Sequence, residues 1–186
     1  MCYGACMGSF GGDSYPRAWQ VLYSAVKTPL LLLATFGIAL PSFVVLNTLL
    51  GLRDDLRQAV RAVAASQAGL TLVLVSLAPL TLFWYACAPS YRAATLCNAA
   101  MFAIAGFSGQ YLLRENYRAL AAKNQRHTFM RRAWLGVYAF VGIQMGWVLR
   151  PFVGDPKMPV TFFRDEAWDN AYVIVARLIW RALAGG

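Results

Sequence analysis

The chain has 186 residues, 59% hydrophobic and only 13% charged, with a net charge of +9 and a mean hydropathy of +0.50. Soluble domains are about 45–50% apolar and about 25% charged, and the stretches 28–52, 62–91, 93–113 and 133–149 here hold no Lys, Arg, Asp or Glu. A bilayer-crossing helix needs about 20 mostly apolar residues, so a soluble enzyme, a nucleic-acid-binding domain and a disordered tail are excluded in favour of an integral membrane protein.

Residues 1–14 open with MCYGACMGSFGGD, rich in Gly and small side chains, and read as a flexible extension. The first 27 residues lack a basic start, an apolar core and a small-residue cleavage site, so insertion is expected to depend on the first hydrophobic segment. From Tyr15 to Lys27, Trp19, Leu22, Tyr23 and Val26 recur at helical spacing, with Pro16 suited to a first turn. This predicts a short amphipathic helix lying at the membrane surface. The first span follows at about 29–52, with Pro41 expected to kink it. Beyond it, RDDLRQAVRAVAAS puts Leu56, Ala59, Val60 and Val63 on one face, as a helical extension or a second interfacial helix.

The second span is expected at 69–88 with Pro79 inside it, and the third at 93–113, returning after the turn signal of Pro89 and Ser90. A basic connection, 114–132, leads to a fourth span at 133–149, closed by Arg150-Pro151. Residues 165–184 are long enough for a fifth, but Arg177 and Arg181 lie along its apolar part. That segment either spans, with the arginines reaching the far interface, or lies in the interface. The fold class is therefore all-α: four to five transmembrane helices plus an interfacial amphipathic helix, in one domain over 15–184.

Counting basic residues on alternate sides sets orientation. With five spans, one face carries six basic and five acidic residues, and the other eleven basic and three acidic. The 114–132 connection is then expected to be cytoplasmic or stromal, and the 150–169 loop to lie opposite, in a bacterial inner membrane or a thylakoid-type membrane. If 165–184 is interfacial, the bias falls to nine against eight.

Few residues offer chemistry. Cys2 and Cys6 are far in sequence from Cys87 and Cys97, and no histidine lies near either pair, so no metal site is expected. His127, in the basic connection, reads as exposed. Asn47, Asn98, Gln110 and Gln144 lie within spans and should face other helices or a cavity. As a set they contain no carboxylate or histidine, which argues against a proton relay. Asn98, Gln110 and Gln144 are the candidates for holding a chlorophyll-type magnesium; no cofactor is called for, though a bound lipid or pigment is compatible with them. Gly142 and Gly146 form a GxxxG, and Ala99 with Ala103 and Ala105 with Gly109 form small-xxx-small pairs, all suited to close helix packing.

The segment 138–172 is densest in aromatic, Pro and Gly residues. An ordered loop over 150–169 is expected to fold onto the membrane surface and dock a partner through Trp147, Arg150, Phe152, Asp155, Phe162, Phe163, Arg164 and Trp168. Arg150 and Arg164 are expected to pair with Asp155, Asp165, Glu166 or Asp169.

The order YPRAWQVLYSAVKTPLLLL, LPSFVVLNTLLG, then YAFVGIQMGWVLRPFVGDP and FFRDEAWDNAY resembles a group of bacterial multi-pass membrane proteins similar in outline to the five-span Yip family. The resemblance covers 15–184 and implies five helices, with no activity or catalytic residue to carry over; Arg177 fits it least. The expected role is non-catalytic: an accessory or assembly subunit of a larger photosynthetic or respiratory membrane complex, in contact with lipids and other membrane subunits. The alternatives are a small channel or transporter for a neutral solute, which needs the four amides to converge, and a Yip-like trafficking or membrane-shaping protein.

Overall fold

The computed structural model describes residues 1–10, 15–87, 90–154, 160–163 and 173. They form six α-helices, α1 (Cys2–Gly8), α2 (Tyr15–Leu49), α3 (Leu56–Cys87), α4 (Tyr91–Asn116), α5 (Arg118–Lys123) and α6 (Arg126–Val148), with a 3-10 turn at Arg53–Asp55 and no strand among the described residues. Among the described residues, three helical segments are long and apolar enough to cross a membrane: Ala18–Leu49, Arg53–Cys87 and Tyr91–Asn116.

The expected fourth span does not reach that standard. Arg126, Arg131 and Arg132 occupy the start of α6 and leave it charge-free only from 133 to 148, about 24 Å of helix against a hydrocarbon core of about 30 Å. The helix nevertheless lies antiparallel along α2. Trp134 packs edge-on against Phe43 at 5.1 Å and Phe36 at 6.2 Å between ring centroids, Gly142 sits beside Thr35, and the turn after α6 reaches Lys27. The expected fifth helix, 165–184, lies outside the described residues apart from Val173.

The surface-lying helix expected at 15–27 is instead the first part of α2, which continues unbroken past Pro29 and Pro41 to Leu49. Its sidedness is reversed from that expected of a surface helix. Trp19, Leu22 and Val26 point outward, while Gln20, Ser24, Lys27 and Thr28 are buried. Further along, Leu30, Leu33, Ile38 and Val45 are exposed while Thr35 and Asn47 are buried. In water this would be inside out; in hydrocarbon it puts apolar groups toward lipid and polar groups toward protein.

The N-terminus also departs from expectation. Rather than a flexible extension, residues 2–8 form α1, and Tyr3, Met7 and Phe10 are buried with Leu74, Ala78, Ala94, Cys97 and Ala105. The signal was present in Gly4-Ala-Cys-Met-Gly8, a GxxxG in the segment read as a flexible extension. A β-carbon at Gly8 would lie 2.6 Å from the Val21 Cα, and one at Gly4 would overlap the Ser24 carbonyl, so α1 packs on bare backbone of α2.

The helices form two pairs, α2 with α6 and α3 with α4, while α2 and α3 touch little along their lengths. One end is joined by α1, which packs on both α2 and α3. The other is joined by a cluster of Phe43, Leu52, Val63, Leu113, Tyr117, Leu120, Met130 and Trp134. At that second end Gly51 (φ 72°) closes α2: Leu52 N–H bonds the Asn47 carbonyl and Gly51 N–H the Thr48 carbonyl, both at 3.0 Å, the pattern of a Schellman cap. α4 starts where Ser90 Oγ accepts the Ala93 N–H at 3.3 Å. Between α3 and α4, Gly109 lies under Leu70 and Gly69 under Leu112, so small residues set this crossing too.

Gly8→Ala is expected to cost about 1–3 kcal/mol because the added carbon meets backbone that cannot swing away. Gly146→Ala, with nothing within 4 Å of the new carbon, is the control. Thermal unfolding of both variants in detergent checks this; equal midpoints would refute the assigned packing of α1.

Candidate functional site

The buried polar edge of α2 comes from four residues, Gln20, Ser24, Lys27 and Thr28, spaced so that one helical face carries them all. Opposite lies the turn after α6, which begins with a cis Arg150–Pro151 peptide bond. Lys27 Nζ donates to the Pro151 carbonyl at 2.9 Å. Gln20 Nε2 donates to Ser24 Oγ at 3.2 Å and lies 3.3 Å from the Phe152 carbonyl, which Ser24 Oγ–H also reaches. Gly154 fits against Gln20, where a β-carbon would lie 3.0 Å from its Cγ. The turn is thus held through its backbone carbonyls, which lack helical partners just past a helix end.

An aromatic row continues from this clamp onto the outer surface. Trp19 and Tyr23 stand 6.1 Å apart, Tyr23 meets Phe162 edge-on at 5.2 Å, and Phe162 meets Phe163 at 4.8 Å. Lys27 Nζ lies 4.9 Å from the Phe162 ring centroid, so one ammonium group ties the 151 turn to the 162 segment. Trp19 and Phe163 keep 51% and 43% of their surface exposed. Of the residues expected to dock a partner, Phe162 and Phe163 belong to this row. Trp147 and Arg150 stack nearby with the guanidinium carbon 3.4 Å from the ring centroid, and Phe152 is partly buried. Asp155, Arg164 and Trp168, with the expected pairing of Arg164, Asp165, Glu166 and Asp169, lie outside the described residues.

The amide candidates are dispersed. Asn98 is buried beneath α1, accepting from Tyr3 Oη–H at 2.9 Å and donating to Tyr85 Oη and, at 2.8 Å, to the Ala94 carbonyl. Gln110 is twelve residues further along α4, about 18 Å away. Gln144 is near the end of α6, and Asn47 is buried at the opposite end of α2, its amide atoms without a hydrogen-bond partner among the described residues. No described cavity gathers the four. Among the packing candidates, Ala105 and Gly109 are buried against α3, Gly142 lies beside Thr35, Gly146 meets nothing, and Ala99 and Ala103 are exposed.

His127 was expected to be exposed but is fully buried. Its Nε2 stands 3.2 Å from Asp55 Oδ2, while Lys123 Nζ donates to Asp55 Oδ1 at 2.7 Å. Arg126 adds a bond to the Leu50 carbonyl at 3.1 Å. These contacts fasten the α5–α6 turn to the α2–α3 turn, outside the charge-free part of α3. The hydrogen bond from Lys123, then that to His127, holds the Asp55 carboxyl below its ordinary value. The pairing joins residues 72 apart, and no local spacing reveals it.

Family models, curated proteins and solved structures were compared with the chain, and none matches.

Gln20→Leu is expected to remove about 1–3 kcal/mol by leaving polar groups of the turn poorly paired, and to raise cleavage by added protease at 150–154. Cleavage unchanged from wild type would refute the clamp. For Asp55, a depressed folded-state pKa means stabilisation present above the unfolded carboxylate value and lost as pH falls through the folded one. The midpoint difference between wild type and Asp55→Asn should therefore be at its full value at neutral pH and shrink as pH falls below about 4; a difference that stays constant on acidification would contradict the pairing.

Proposed function

We propose that this chain is a non-catalytic accessory or assembly subunit that packs against a larger membrane complex through the end bearing Trp19, Tyr23, Phe162 and Phe163. The observation that carries the reading is the clamped aromatic row: four rings in sequence, two of them substantially exposed, backed by buried hydrogen bonds. Aromatic side chains on a rigid support are the usual anchors of protein interfaces, because they bury large area with few rotatable bonds. A further support is that the polar groups within the helices serve the chain itself. Asn98 holds α1, Gln20, Ser24 and Lys27 hold the turn, and Tyr138 donates to Gln67 Oε1 at 2.7 Å. The dispersal of Asn47, Asn98, Gln110 and Gln144 gives a solute channel no support.

In this reading α6 crosses the bilayer beside α2 as a fourth span, its opening arginines extending to the interface. The end carrying Arg53, Arg57, Arg61 and the 114–132 connection faces the cytoplasm or stroma by the positive-inside rule. The host would be a bacterial inner membrane or a thylakoid-type membrane.

The test is purification of the full chain in mild detergent, with mass spectrometry of co-migrating proteins. A stoichiometric membrane partner is expected with wild type. The Trp19→Ala, Phe163→Ala double variant should release it, with affinity reduced roughly 30-fold or more if either ring is an anchor. A lone monomer or homodimer would sink the proposal.

A further inference from the structure

At the end of the molecule away from the aromatic row, a polar groove of about 720 Å³ runs where the start of α3 passes the end of α4. Its basic side chains are Arg57 and Arg61, one helical turn apart on the same face of α3. Asp54 and Asp55 contribute carboxylates from the 3-10 turn, and Asn116 an amide from α4. These charged groups differ in what they already hold. Asp55 is taken up by Lys123 and His127. Arg57, Arg61 and Asp54 are exposed, and their charged groups form no ion pair or hydrogen bond among the described residues. Two cations and one anion therefore face a single groove with nothing yet bound to them.

The groove also has a fixed depth. Arg61 is the last charge before the charge-free run of α3, which begins at Ala62, and the corresponding run of α4 ends at Leu113. Ala62 and Ala65, both small, line the groove where it meets the apolar segment. Arg57 stands about 6 Å further out than Arg61, and Asp54 lies beyond it in the 3-10 turn. From hydrocarbon outward the order is small apolar surface, guanidinium, carboxylate. A phospholipid whose head carries an ammonium group has the matching order: acyl chain and glycerol, phosphate, ammonium. A purely anionic head would use the arginines and leave Asp54 as a repulsive charge.

We propose that this groove binds phosphatidylethanolamine, its phosphate held by Arg57 and Arg61 and its ammonium group by Asp54. Guanidinium groups pair with phosphate through directed N–H donors, and basic pockets at the ends of membrane helices are a known means of holding headgroups. The groove reaches the apolar segment at Ala62, so the ligand is a lipid of the surrounding bilayer and not a free headgroup. The proposal rests on the membrane location of the chain and not on the partner complex.

The experiment is native mass spectrometry of the purified full chain titrated with phosphatidylethanolamine, with phosphatidylglycerol and soluble phosphoethanolamine as separate probes. Wild type should retain one phosphatidylethanolamine per chain and prefer it to phosphatidylglycerol roughly threefold. Asp54→Asn should abolish that preference. Arg57→Gln combined with Arg61→Gln should weaken both lipids roughly 25-fold, about fivefold for each basic residue. Arg53→Gln, the same charge change on an exposed arginine outside the lining, should leave both intact. Thermal unfolding of each variant separates lost binding from lost fold, and the wild-type preference needs no substitution to be decisive. Equal retention of the two lipids by wild type would overturn the proposal. So would displacement by soluble phosphoethanolamine, or a loss in Arg53→Gln as large as that in the double variant. Partner co-purification is read separately, so either proposal can fail without the other.

Discussion

The inward polar edge of α2 is the constraint on which the other elements depend. Gln20, Ser24, Lys27 and Thr28 lie on a helix whose opposite face, Trp19, Leu22 and Val26, is apolar and exposed. In hydrocarbon a lysine ammonium and a glutamine amide cannot be left toward lipid, since an unpaired polar group there costs several kcal/mol. They need partners supplied by protein. The partners come from the carbonyls of Pro151 and Phe152 and from the backbone-on-backbone packing of α1. The position of the turn after α6, and with it the antiparallel placement of α6 on α2, follows from that requirement.

The same logic recurs at smaller scale. Asn98 on α4 is satisfied by Tyr3 of α1 and Tyr85 of α3, so one amide ties the second helix pair to the N-terminal helix. At the other end Asp55 gathers Lys123 and His127 and closes the two turns on one another. Since hydrophobicity does not drive helices together in lipid, close packing at small residues and interhelical hydrogen bonds must do so. Gly4, Gly8, Gly69 and Gly109 provide the first, and these three polar clusters the second. The aromatic row is a by-product of the clamp and lies on its outer side.

Much of the architecture could be read from residue order. Charge-free runs located the three apolar helices, because desolvating a charge costs far more than any local propensity contributes. Phe162 and Phe163 were legible as surface aromatics, and Ala105 with Gly109 as a packing pair, since helical spacing puts them on one face. Other features were misread for identifiable reasons. Residues 15–27 have the spacing of a surface helix, and spacing alone does not say which face meets protein. The Gly4–Gly8 motif was hidden by a glycine-rich context that also suits disorder. The role of His127 depends on a carboxylate 72 residues away.

The sequence by itself determined an all-helical chain with long apolar helices and basic residues concentrated in the connections. Those properties follow from composition and period, which act locally on each segment. Only the tertiary structure decided that α1 is part of the core, that the polar edge of α2 faces inward, and that Asn47, Asn98, Gln110 and Gln144 stay apart. Each of those depends on which backbone carbonyl or hydroxyl comes within about 3 Å of a buried donor, and that is a property of the packed helices together.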